Sequence, residues 1–154
     1  QNSAELIIFN EYRKTALGIK KARQFSLYFS DSLQNPKELY SIKNYLPLYN
    51  IERFEVKNPK PFYHFNQHET LLVIDSTAIY PRKVKNAYVY LSQSPKLNLE
   101  RLINEIQPKE IIADASNYPS FVKQWQATCK EFNIPFHSTY RDGAWRRKIK
   151  RKGL

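Results

Sequence analysis

Three apolar runs in this chain end in hydrogen-bonding clusters. Asp75-Ser76-Thr77 follows ETLLVI, Ser92-Gln93-Ser94 follows AYVYL, and Asp114-Ala115-Ser116-Asn117 follows EIIA. Such residues cap helices and close turns. Where the strands of an open sheet end, they also gather ligands. Either reading fits one cluster alone, whereas three in succession predict a shared polar edge. A short strand, Ile134 to Phe136, delivers His137 and Thr139 to a turn at Asp142-Gly143. The candidate polar edge is therefore Asp75, Ser76, Ser92, Ser94, Asp114, Ser116, Asn117, His137 and Thr139.

Hydrolytic metal chemistry needs several His and carboxylate ligands that converge. Only His64, His68 and His137 are present, and no HxHxDH-like cluster occurs. His64 and His68 are four apart in a stretch, FYHFNQHET, that reads as strand and turn, so their spacing does not bring them to one face. No metal site is expected; Asp75 and Asp114 could hold a single Mg²⁺ between strand ends, without support from spacing. There is no G-x-S-x-G elbow, and three glycines could hardly form a phosphate-binding loop. Neither a catalytic residue nor a cofactor is expected.

The positive signal is charge with aromatics. Lys and Arg number 25 against 14 Asp and Glu, a net +11, with 11 Tyr and 9 Phe. A chain this basic is drawn to polyanions, nucleic acid or an anionic lipid surface; otherwise the charge only keeps it soluble. The candidate phosphate contacts are Arg13, Lys14, Lys20, Lys21, Arg23, Arg82, Lys83, Lys85, Arg141, Arg146, Arg147 and Lys148. Exposed Tyr, Trp or Phe among them can stack unpaired bases.

The length of 154 residues suggests one domain with a real core, placed at 1–145 with a basic tail at 146–154. Strands are predicted at 5–10, 15–20, 24–29 (ended by Asp31-Ser32), 51–56, 62–65, 69–74, 87–91, 110–113 and 134–136. Helices are predicted from Asn35-Pro36, over 97–106 with Asn98 as cap, and from Pro119. Trp145 to Leu154 is dominated by basic residues (RRKIKRK), and its end is expected to fray. Cys129, the only cysteine, sits in Trp125-x-x-Thr128-Cys129 and reads as a buried structural thiol. No apolar run reaches the ~20 residues of a membrane helix. No signal peptide is apparent at the start, and the lack of any Met suggests a piece of a longer chain.

The last third also carries a family pattern: Ala113-Asp114-Ala115-Ser116-Asn117-Tyr118, then Trp125, Thr128-Cys129, Ile134-Pro135-Phe136-His137, Thr139 and Gly143-Ala144. This resembles the C-terminal region of ComEC competence proteins, the inner-membrane DNA-uptake channels, in the form found in Bacteroidetes. Many of those proteins carry a metallo-β-lactamase-like domain, and the chain resembles a degenerate copy of it. Leu71 to Asp75 would place Asp75 at a bridging-ligand position. Tyr88 to Pro95 lacks both histidines of the matching motif, and Ser41 to Val56 replaces the His-rich one. The resemblance therefore implies an α/β sandwich-like, reduced metallo-β-lactamase-type fold, with mixed sheets flanked by helices. It implies a non-catalytic accessory domain that binds or guides incoming DNA, attached to the membrane channel of the same polypeptide, on the extracytoplasmic side. The alternatives are a metal-dependent nuclease with a rearranged site and a structural module docking on the channel or a partner.

Overall fold

The computed structural model describes residues 3–31 and 34–150. Ser32, where the third strand was expected to end, lies outside them, as do residues 151–154. Among the described residues ten strands form two five-stranded sheets. The first contains β1 (Ser3–Ile8), β2 (Ala16–Lys21), β3 (Gln24–Phe29), β4 (Arg53–Lys57) and β10 (Trp145–Lys150), in the order β10-β1-β2-β3-β4. The second contains β5 (Phe62–His64), β6 (Thr70–Ile74), β7 (Tyr88–Leu91), β8 (Glu110–Ala113) and β9 (Phe136–Ser138), in sequence order. Strands β6 to β9 are mutually parallel, so their C-terminal ends share one edge.

Alternation along the strands decides the layers. Leu6, Ile8, Leu17 and Ile19 of the first sheet meet Leu71, Val73, Tyr90 and Ile112 of the second in a central core. Ile7, Phe9, Phe25, Leu27 and Phe29 face the other way, onto Ile42 and Tyr45 of α1 (Tyr40–Leu48). On the outer face of the second sheet, Leu72, Ile74, Val89 and Ile111 pack on α2 (Leu99–Ile106) and α3 (Pro119–Glu131). The result is an α/β sandwich of four layers: helix, sheet, sheet, helix.

Helix α2 shows why these segments choose their faces. Leu99, Leu102, Ile103 and Ile106 fall at i, i+3, i+4 and i+7, one apolar stripe, and all four are buried. Asn98 caps its start by accepting from the Arg101 amide at 3.0 Å. Asn98→Ala is expected to cost ~1 kcal/mol in chemical denaturation; a change near zero would mean that packing alone holds this end. Gly18 is required for a different reason: a Cβ there would lie 2.3 Å from the Phe25 ring.

Several expectations need correction. The helix foreseen at Asn35-Pro36 is only a 3-10 turn over Pro36–Glu38, capped by Asn35, and α1 proper begins at Tyr40. Pro47 sits inside α1 without ending it. The strand foreseen at 134–136 lies at 136–138, because it pairs with β8 from Ile111↔Phe136 to Ala113↔Ser138. Thr139–Asp142 then forms a short helix, α4, ahead of Gly143 at φ +83°. Within the basic segment, Trp145–Lys150 is an edge strand paired antiparallel with β1, while its end, where fraying was expected, lies outside the described residues. Its Trp145 and Ile149 enter the central core, and that burial outweighs the charge of the residues between them.

Candidate functional site

The parallel register puts the C-terminal ends of β6, β7 and β8 along one side of the sheet, and most of the side chains there serve the structure. The loop after β7 is fastened to the loop after β8. Ser116 Oγ accepts from the Gln93 amide at 2.8 Å, Asn117 Oδ1 accepts from the Ser94 amide at 2.8 Å, and Ser94 Oγ accepts from the Tyr118 amide at 2.8 Å. The buried Asn117 donates to the Leu91 carbonyl at 2.8 Å. Ser92 bonds to Thr15, joining the first sheet to the second. Gln93 and Ser94 both hold left-handed backbone, at φ +61° and +54°, which these anchoring bonds maintain.

Asp114 is the centre of this network. It is 2 % exposed and accepts hydrogen bonds from Tyr90 Oη and Ser116 Oγ, and from the Ser116 amide at 3.0 Å. Burial raises its carboxyl to about 6, against the opposing pull of those hydrogen bonds. Asp75 is different: it is exposed and closes its own turn, accepting from Thr77 Oγ1 at 2.6 Å and the Thr77 amide at 3.0 Å. Two strand spacings separate β6 from β8, about 10 Å between backbones. Ser76 is exposed beside Asp75. His137 Nε2 bonds to the Gly143 carbonyl at 2.8 Å, and Thr139 Oγ1 donates to Asn10 Oδ1 at 3.0 Å. Among the described residues no three His, Cys, Asp or Glu side chains gather to hold a metal ion. Cys129 is buried in the α3 core, and burial pushes its thiol up to about 12.

The candidate basic residues lie on several elements, and many of them are paired. Lys20, Lys21 and Arg23 lie at the β2–β3 hairpin, with Arg23 paired to Glu52. Arg82 pairs with Glu105 at 3.5 Å, Lys85 donates to the Glu105 carbonyl, and Lys83 is exposed between them. On β10, Arg146 meets Glu5 at 3.2 Å and Arg147 meets Glu110 at 2.6 Å, while Lys148 has no ionic partner among the described residues. Lys14 pairs with Asp31 at 2.9 Å, and Arg141 with Asp142 at 2.8 Å, which holds the Asp142 carboxyl down at about 2. Arg13 lies over the Tyr12 ring at 5.1 Å.

The edge carries one further feature. The β1–β2 loop lies across it, fixed by the Arg13 amide donating to the Ala115 carbonyl at 3.2 Å and by the Asn10–Thr139 bond. This places Tyr12 at a cavity of about 490 Å³ that Tyr140, Val122, Lys123 and Arg141 also line, with Asp114 on its buried side. Tyr12 is 71 % exposed and Tyr140 85 %. A Tyr-Arg pair recurs at 12–13 and 140–141, a signal visible in the sequence, but nothing in its spacing shows that the two pairs meet.

The fold and edge define a class: a basic α/β-sandwich domain whose strand-end edge presents aromatic and cationic side chains over a buried carboxylate. The family description "ComEC C-terminal domain" matches residues 6–149, and the chain belongs to that family. Membership ties it to competence DNA uptake and to a larger ComEC polypeptide. No curated protein and no solved structure matches it. Among the described residues no helix is long and apolar enough to cross a membrane.

Proposed function

We propose that this is a non-catalytic accessory domain that binds and guides incoming DNA at the uptake channel, on the extracytoplasmic side. The observation that carries this reading is the charge. The excess is +11, and cations such as Lys83, Lys123 and Lys148 have no carboxylate partner among the described residues. Unpaired surface cations bind polyphosphate by releasing its counterions. The four-layer sandwich supports descent from a metallo-β-lactamase-type domain. The side chains at its strand ends support loss of the hydrolytic site, since Asp75 and Asp114 are engaged in a turn and in a buried network respectively.

Labelled duplex and single-stranded DNA, titrated over a salt series with Mg²⁺, Mn²⁺, Zn²⁺ or EDTA, tests the proposal. Binding that weakens with salt, at a slope of about −0.9 per duplex phosphate contacted, and without cleavage, is the expected result. Metal-dependent cleavage lost in Asp75→Ala would establish a nuclease instead. Absence of binding at moderate salt would leave a structural module that docks on the channel.

A further inference from the structure

We propose that the cavity bounded by Tyr12 and Tyr140 seats a single unpaired nucleotide, its base against the tyrosine rings and its phosphate toward Lys123. This deepens the DNA-binding reading and rests on it. Three observations converge on one place. The cavity, about 490 Å³, lies within the ~300–1,000 Å³ typical of sites for small organic ligands. Its wall is largely apolar, from Tyr12, Ala115, Pro119, Val122 and Tyr140, so it favours a flat apolar face over a hydrated ion. Two of those rings are among the most exposed large side chains of the domain, although a tyrosine gains free energy from burying its ring.

Charge decides what kind of aromatic group fits. Lys123, exposed on the first turns of α3, and Arg141 line the same cavity, and Arg13 stands over Tyr12. Arg141 is already neutralised by Asp142, and Lys123 and Arg13 together outweigh the single carboxylate of Asp114 on the buried side, which leaves a net positive charge. An aromatic group bearing an anion answers both features, and on a DNA strand that is a nucleotide. Duplex DNA cannot present it, because its base faces are already stacked; a single strand or a frayed end can. The rings are held ready by separate anchors: Tyr12 through the Arg13–Ala115 backbone bond, Tyr140 on α4 immediately after Thr139, which is bonded to Asn10.

The test compares a fluorescent oligothymidylate with a blunt duplex of equal length, at fixed salt, on the wild-type chain and on Tyr12→Ala, Tyr140→Ala and Lys123→Ala. Base stacking of this kind predicts that each tyrosine variant weakens oligothymidylate binding by roughly tenfold while leaving its salt slope unchanged. Lys123→Ala should lower the slope by about 0.7, and Tyr12→Phe and Tyr140→Phe should bind as wild type. Both tyrosines are exposed, so the alanine variants are expected to fold, which their unchanged duplex binding would confirm. Equal affinity for both DNAs with silent tyrosine variants would overturn the nucleotide site and leave general DNA binding standing. Binding of neither DNA would overturn both readings.

Discussion

Trp145→Ala is expected to lower the stability of the chain by ~3–5 kcal/mol, the usual cost of emptying a large aromatic site in a packed core. Trp145 is 1 % exposed, opens β10 opposite Ile8 of β1, and stands edge-on to Tyr88 of the second sheet at 5.4 Å. It therefore joins both sheets and fixes the basic edge strand to the domain. A loss of that size is a large share of the roughly 5–15 kcal/mol that holds a domain folded. Its indole Nε1 is buried with no hydrogen-bond partner among the described residues. Trp145→Phe removes that unsatisfied donor along with part of the ring, so it should cost clearly less than the alanine change. Urea denaturation of the three proteins measures both differences. If Trp145→Ala cost under ~1 kcal/mol, β10 would be a detachable strand and not part of the cooperative core.

Asp114 gives the second large effect, and its sign is set by its raised carboxyl. Unfolded, the group titrates near 3.8; folded, burial holds it near 6. The folded state thus binds the proton more tightly, and this group's contribution favours folding in acid. That stabilisation is present below pH ~4 and is lost as pH rises through 6. The separation of about two units corresponds to at most about 3 kcal/mol between the two ends of the window. Asp114→Asn carries no titrating charge and keeps an oxygen to accept from Tyr90 or Ser116. It should therefore lack this loss, and gain on the wild type at pH 7.5 relative to pH 4.5. The Asp142–Arg141 pair acts in the opposite direction, but its window lies below pH 4 and does not overlap. Parallel curves for wild type and Asp114→Asn from pH 4.5 to 7.5 would show that the buried carboxylate is better solvated than its surroundings indicate.

The two mutations probe opposite ends of what could be read in advance. Asp114 was legible: a carboxylate directly after the apolar run EIIA had to lie at a strand end. Its engagement by Tyr90, twenty-four residues earlier, was not, because that contact depends on β7 and β8 being neighbours in parallel register. Trp145 was hidden by its company. Five of the six residues after it are Lys or Arg, which locally favours a solvated tail.

By itself the sequence determined most of the elements and their kinds, with β10 and the short helix α4 as the exceptions. Period-two alternation marks β3, the i, i+3, i+4, i+7 stripe and Asn98 mark α2, and strand–helix–strand order marks the parallel half of the second sheet. These signals are local, arising within one or two turns or a few residues of strand. It also determined the excess of positive charge and, through the motif from Ala113 to Ala144, the family. Only the tertiary structure decided which charges remain unpaired, that β10 returns to lie beside β1, and that Tyr12 meets Tyr140 across 128 positions at one cavity. The reason is physical. A local pattern states which face of an element seeks burial, but the partner it finds is chosen by the packing of whole sheets against one another, which no short stretch of chain encodes.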